Sequence, residues 1–107
     1  MRRRWLTAVL GRIRELADRR KVRFTIKALQ ELAALDVGLD EEDACDVLAH
    51  LGPSDFVERL VSQKTGEWMY VFKSSVGGVA VYVKVVLRAD CVVISFHEVE
   101  DRSDEDE

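Results

Sequence analysis

The stretch that decides the fold is GVAVYVKVVLRADCVVISFHE, residues Gly78–Glu98. Two runs rich in valine, isoleucine and aromatic residues predict two β-strands, Val79–Arg88 and Cys91–Glu98. The residues between them, Ala89 and Asp90, predict a two-residue turn. The two strands should therefore pair as an antiparallel hairpin.

The pairing within this hairpin follows from the turn. A two-residue turn makes the residues pair one for one along both strands, and side chains alternate between the two faces. Four polar side chains then form two cross-strand pairs on one face: Tyr82 with His97, and Lys84 with Ser95. The other face is apolar and is predicted to be the core, with Val83 opposite Phe96, Val85 opposite Ile94, and Val92 on the same side.

The rest of the chain predicts helices before strands. Apolar residues at three- and four-residue spacing predict helices over Trp5–Arg19, Ile26–Leu35 and Glu41–Leu51, and a short helical turn should run from Ser54 or Asp55 to Leu60. Extended segments are predicted at Lys21–Phe24 and Trp68–Ser74. We therefore expect an α+β domain whose N-terminal helices pack on one face of a C-terminal antiparallel sheet, which leaves the other face free for a ligand.

Composition sets the class of protein. The chain has 107 residues, of which 48% are hydrophobic and 34% charged, as expected for one globular domain. We predict a single domain over residues 1–98 and a disordered acidic tail over residues 99–107. No apolar run is long enough to span a membrane, so we predict a cytoplasmic protein without a membrane partner. Cys45 and Cys91 are not spaced as metal ligands and are predicted to be buried, reduced thiols.

Charge is unevenly distributed along the chain. Residues 1–27 carry ten basic and two acidic side chains, whereas residues 100–107 carry six acidic and one basic. The basic region fits either a footprint for nucleic acid or an acidic partner, or simply an exposed helix face. Charge alone does not separate these two interpretations.

The polar face of the hairpin is the main candidate for chemistry. The chain has no GxGxxG, P-loop, HExxH or GxSxG motif, so no cofactor and no metal are predicted. Tyr82, Lys84 and His97, joined by Lys73 from the neighbouring strand, are the groups that metal-free RNA cleavage needs: an acid, a base and cations for the phosphate. The alternative is that these side chains are ordinary solvated surface.

Several short motifs give the chain a family resemblance. It resembles the MqsR-type toxins of bacterial type II toxin–antitoxin systems, small endoribonucleases with a RelE-like α+β fold. The resemblance covers Leu10 to Glu98. It is carried by KVRFT-x-x-AL (Lys21–Leu29), VGLD (Val37–Asp40), L-x-x-SDF (Leu51–Phe56), Trp68, VF (Val71-Phe72), G-x-VYVKV (Gly78–Val85) and VVISFHE (Val92–Glu98).

The resemblance implies metal-free cleavage of mRNA and a cognate antitoxin that binds DNA. It places the family's strand tyrosine on Tyr82, the following lysine on Lys84, and a lysine near the end of the last strand on His97. Glu58 stands where the family has a lysine and Met69 where it has a glutamine, so a non-catalytic RNA- or partner-binding protein on the same scaffold is the alternative.

The sequence thus predicts two groups of site residues. The catalytic group is His97, Tyr82 and Lys84. The RNA-binding group is Lys73, Arg59, Arg88 and Arg23.

Overall fold

The computed structural model describes residues 3–99. Its helices are α1 (Arg4–Asp18), α2 (Ile26–Ala33) and α3 (Glu41–Ala49), with a single 3₁₀ turn at Pro53–Asp55. Its strands are β1 (Val22–Phe24), β2 (Phe56–Val61), β3 (Trp68–Val76), β4 (Val79–Leu87) and β5 (Cys91–Glu98). The predicted acidic tail, residues 99–107, lies outside the described residues except for Val99, whose amide donates to the Ala80 carbonyl (2.8 Å).

The five strands form one sheet in the order β1-β5-β4-β3-β2. All neighbouring pairs are antiparallel except β1, which lies parallel to β5 at one edge. The α+β class is therefore confirmed: the three helices lie in the N-terminal half of the chain, and four of the five strands follow them. Within the described residues no helix is both long and apolar enough to cross a membrane.

The helices cover one face of the sheet because each carries an apolar stripe. In α1 the buried residues Leu6, Leu10, Ile13, Leu16 and Ala17 recur every three or four positions. They share one core cluster with Ala28 and Leu32 of α2, with Leu48 of α3, and with Phe72, Val83, Val85 and Phe96 of the sheet. We call this side of the sheet the helix-covered face.

Helix α2 begins directly against β5. The hydroxyl oxygen of Thr25 accepts from the Ala28 amide (3.1 Å) and caps the helix, while the same hydroxyl donates to the Ile94 carbonyl (3.3 Å). The Thr25 amide also donates to the Val93 carbonyl (3.1 Å). One residue therefore ends the short strand β1, starts α2 and fixes both to the last strand.

The prediction of a helical turn as far as Leu60 was wrong. The helical turn covers only Pro53–Asp55, and Phe56–Val61 is strand β2. This segment pairs antiparallel with β3, with Val57 as an extra residue between Phe56 and Glu58. The cross-strand ladder outweighs the local preference of an acidic start such as Ser54-Asp55 for helix.

The hairpin register was right over half of its length. Val83 faces Phe96, but Val85 faces Val93 instead of Ile94, because Ile94 is an extra residue in β5. Between the loop and the bulge, each β5 residue points to the face opposite to the predicted one. Cys91 and Val93 are therefore buried in the core, and Val92 is not. The loop accordingly spans residues 88–90, and β4 ends at Leu87 instead of Arg88.

Both cysteines are buried and unbonded, as predicted. Burial raises the pKa of the Cys91 thiol to about 12, and it raises the pKa of Cys45 as well. Both thiols therefore behave as small apolar core residues at neutral pH.

Candidate active site

The face of the sheet opposite the helices, which we call the open face, carries polar side chains in cross-strand rows. One row consists of Lys73 on β3, Tyr82 on β4 and His97 on β5. The next row consists of Val71, Lys84 and Ser95 on the same three strands. Neighbouring strands lie about 4.8 Å apart, so each row brings residues far apart in the chain to one place.

Tyr82 and His97 are in direct contact, as the register predicts. Their ring centroids lie 5.9 Å apart at an interplanar angle of 60°, an edge-to-face arrangement. The Nδ1 atom of His97 lies 3.0 Å from the carbonyl oxygen of Glu98. Because a carbonyl only accepts hydrogen bonds, Nδ1 is the donor in this contact, and in the neutral ring Nε2 carries the lone pair.

Two lysines place positive charge beside this pair. Lys73 is the direct cross-strand neighbour of Tyr82, and Lys84 lies two residues from Tyr82 on the same strand and face. Neither ammonium group has an ion-pair partner within residues 3–99. Both charges are therefore available to an anion placed on the open face.

A third lysine, which the sequence did not single out, reaches the open face from α2. Lys27 Nζ donates to the hydroxyl of Ser95 (2.8 Å) and forms an ion pair with Glu31 (2.9 Å). The other oxygen of Glu31 accepts from the backbone amide of Phe96 (2.9 Å), which lies on the edge of β5 beyond β1. The i,i+4 spacing of Lys27 and Glu31 indicates a helix pair, but only the fold shows that the pair faces β5.

Glu31 is held as a carboxylate by these contacts. Burial by itself raises the pKa of Glu31, but the hydrogen bonds from Lys27 and the Phe96 amide outweigh burial and lower the pKa below its ordinary value of 4.5. The nearby charges of Lys27 and His97 act in the same direction. Glu31 therefore ties α2 to the part of β5 that carries His97.

Arg59 does not join the predicted site. It lies opposite Tyr70 on the helix-covered face, and its guanidinium stacks between the rings of Trp5 (4.0 Å) and Trp68 (4.1 Å). The sequence predicts a helical turn for this segment, in which adjacent residues can serve the same surface. In a strand, adjacent residues point to opposite faces.

Arg23 and Arg88 come together at the far corner of the open face. They line one cleft of about 450 Å³ although they are distant in the chain, and Asp90 adds a negative charge to the same lining. Arg88 donates two hydrogen bonds to the carboxylate of Glu67 (2.9 and 2.7 Å), and this lowers the pKa of Glu67 to about 2. Arg23 has no ion-pair partner in the described part of the chain, so it is the more available of the two.

The two positions that depart from the family pattern are also on the open face. Glu58 faces Val71, which in turn faces Lys84, and Leu60 faces Met69. Glu58 is exposed and adds a negative charge to the row that contains Lys84. Between residues 3 and 99, no three His, Cys, Asp or Glu side chains are grouped closely enough to hold a metal ion.

Comparison with known proteins agrees with the resemblance. The family model described as "motility quorum-sensing regulator, toxin of MqsA" matches residues 7–98 of this chain. The mRNA interferase toxin MqsR of Escherichia coli (strain K12) is 30% identical over 90 residues, which cover 83% of this chain and 90% of that protein. The chain belongs to the MqsR toxin family.

Proposed function

We propose that this protein is the toxin of a type II toxin–antitoxin pair and an endoribonuclease that cleaves mRNA without a metal ion or other cofactor. The observation that carries the proposal is the direct pairing of Tyr82 with His97 on the open face, with Lys73 and Lys84 beside them. The E. coli relative is named an mRNA interferase toxin, which agrees with an action on mRNA.

The reaction follows from these groups. His97 Nε2 takes the proton of a ribose 2′-hydroxyl, the 2′-oxygen attacks the adjacent phosphorus, and the bond from phosphorus to the 5′-oxygen breaks. Tyr82 hydrogen-bonds to the leaving 5′-oxygen and delivers the proton that it needs. The products are a 2′,3′-cyclic phosphate and a 5′-hydroxyl. Lys84 and Lys73 stabilise the charge that develops on the phosphoryl oxygens.

Binding of the RNA strand uses the cations around the catalytic pair. Lys27 lies beside Lys84 through its bond to Ser95, and Arg23 marks the far corner of the same face. A single strand crossing the sheet from Lys73 to Arg23 would meet positive charge along its path. Binding of this kind depends strongly on salt, because counterions are released from the phosphates.

A test compares the two histidines of the chain. We expect purified His97→Ala protein to cleave single-stranded RNA roughly 10²–10⁴-fold more slowly than wild type, since loss of a catalytic acid or base has effects of that size. His50→Ala is the matched control, because His50 is exposed at the end of α3 and should leave the rate unchanged. Cleavage should continue in a chelator. Equal rates for both variants, or a strict metal requirement, would contradict the proposal.

The family description also implies an antitoxin partner. We propose that this antitoxin is a DNA-binding protein that adds a strand to the edge of β2, or else covers the basic N-terminal region. Strand addition is supported by the position of β2 at the edge of the sheet and by its exposed Val57, Leu60 and Val61.

The second candidate function is binding of RNA or a partner without cleavage. It is favoured by Glu58, a negative charge where the family pattern has a lysine, and by Met69, which lacks the hydrogen-bonding capacity of glutamine. Expression of the protein without its antitoxin distinguishes the two. Arrest of growth that His97→Ala abolishes supports the nuclease, and normal growth supports the binding protein.

A further inference from the structure

A second cleft opens on the open face beside the Tyr82–His97 pair, and we call it the Asp55 cleft. Its volume is about 470 Å³, within the usual range of small-molecule sites. It lies at the start of β2, directly after the 3₁₀ turn. There β3 runs on past its last residue paired with β2, Phe72. Its lining includes Ser54, Asp55, Val57, Lys73, Ser75 and Ala80.

The Asp55 cleft is continuous with the catalytic row. Lys73 lines the cleft and is also the cross-strand neighbour of Tyr82, while Ser75 and Ala80 form another cross-strand pair on the same two strands. The cleft therefore begins about one strand spacing, ~4.8 Å, from Tyr82. A nucleotide whose phosphate lies beside Lys73 has its base within reach of the cleft.

The walls of the cleft offer both hydrogen bonds and an apolar surface. Asp55 Oδ2 accepts from the Gly52 amide (2.8 Å), which fixes the carboxylate, and Oδ1 has no hydrogen-bond partner within residues 3–99. The outer edge of β3 beyond Phe72 has no strand paired with it there in the described chain. Val57, the bulged residue of β2, is 43% exposed and supplies an apolar side. A nucleobase is complementary to these walls, because it has polar edges and a flat apolar face.

A carboxylate discriminates between bases because it only accepts hydrogen bonds. Cytosine, adenine and guanine carry an exocyclic amino group that can donate to it. Uracil has carbonyl oxygens in those places, and its single donor, N3–H, lies between two carbonyl oxygens that repel the carboxylate. We propose that the Asp55 cleft binds the nucleobase next to the cleaved phosphodiester and selects a base with an exocyclic amino group over uracil. This inference rests on the proposed RNA-cleaving function and adds the residue that sets its sequence preference.

The first experiment compares base frequencies at the cleaved bond. The full-length wild type, Asp55→Asn and Asp18→Asn are each incubated with a randomised single-stranded RNA, and the ends of the fragments are sequenced. Asp18→Asn is the matched control, because Asp18 is exposed at the end of α1, away from the open face.

We expect wild type and Asp18→Asn to deplete uracil at one position next to the cleaved bond, roughly tenfold or more, as the loss of a hydrogen bond to a charged group implies. Asp55→Asn should lose this depletion, because the amide keeps an oxygen for the Gly52 N–H and offers a donor to the base. Uracil as frequent as the other bases in wild type, or an unchanged profile for Asp55→Asn, would overturn the proposal.

The second experiment separates the cleft from catalysis. Cytidine 3′-monophosphate and uridine 3′-monophosphate are titrated into isotope-labelled wild-type protein, and amide shifts are followed by NMR. Larger shifts at Ser54, Asp55 and Ser75 with the cytidine nucleotide support the base site even if no RNA is cleaved, in which case only the nuclease proposal fails. Equal shifts with both nucleotides, or shifts confined to other residues, refute the base site.

Discussion

The two faces of the sheet are built from the same strands but differ in what their side chains contact. Phe96 and His97 are adjacent in β5, yet Phe96 is fully buried under the helices while His97 lies on the open face against Tyr82. The helix-covered face packs apolar side chains in the core, whereas the open face carries the polar groups to which we assign charge and proton chemistry. A position in this sheet is therefore understood only once its face is known.

The largest effect should come from a substitution at Phe96. Phe96→Ala leaves a cavity in the core and should lower the free energy of unfolding by about 3–5 kcal/mol. His97→Ala, one residue later, should change it by less than about 0.5 kcal/mol, as is usual for surface positions. Urea denaturation of both variants measures this. Similar losses of unfolding free energy at the two positions would show that the open face contributes as much to stability as the core.

Arg59 and Lys73 extend the comparison to charged residues. Arg59→Gln removes two cation–π contacts, with Trp5 and Trp68, and should lower the free energy of unfolding by about 1–2 kcal/mol. It should leave the salt dependence of RNA binding unchanged. Lys73→Gln should do the reverse, reducing the slope of log affinity against log salt by about 0.7 with little loss of stability. A reduced slope for Arg59→Gln would restore the sequence-based assignment of Arg59 to RNA binding.

A gain of function is expected at Glu58. Glu58→Lys replaces a negative charge in the row of Lys84 with a positive one, as in the family pattern, and should steepen the salt dependence of RNA binding by about 0.7. Glu15→Lys is the control, since Glu15 is exposed on α1. Equal changes in both variants would mean that total charge, and not the open face, governs binding.

The smallest effect should be seen at the Glu67–Arg88 pair. Because Arg88 lowers the pKa of Glu67 from 4.5 to about 2, the pair contributes stability above about pH 4.5 that is lost as the pH falls through about 2. The stability difference between wild type and Glu67→Gln, measured by urea denaturation, should shrink over that range. At neutral pH, Glu67→Gln should also free Arg88 and slightly increase affinity for RNA. A difference that stays constant between pH 5 and pH 2 would contradict this account.

Sequence alone determined the parts that depend on local pattern. Helical periodicity gave the three helices, and strand alternation with a short loop gave the cross-strand pairs Tyr82–His97 and Lys84–Ser95. These pairs lie on the far side of the bulge from the loop. The predicted register holds there because the loop has one residue more than predicted and the bulge adds one residue to β5. The two shifts cancel beyond the bulge.

Only the tertiary structure decided the rest. The bulge at Ile94 buries Cys91 and Val93, which a regular ladder would place on the open face. Pairing with β3 makes Phe56–Val61 a strand, and this sends Glu58 and Arg59 to opposite faces. The docking of α2 brings Lys27 to Ser95, and the 3₁₀ turn beside β3 forms the Asp55 cleft. Such features depend on contacts between residues distant in the chain, and no local periodicity encodes those contacts.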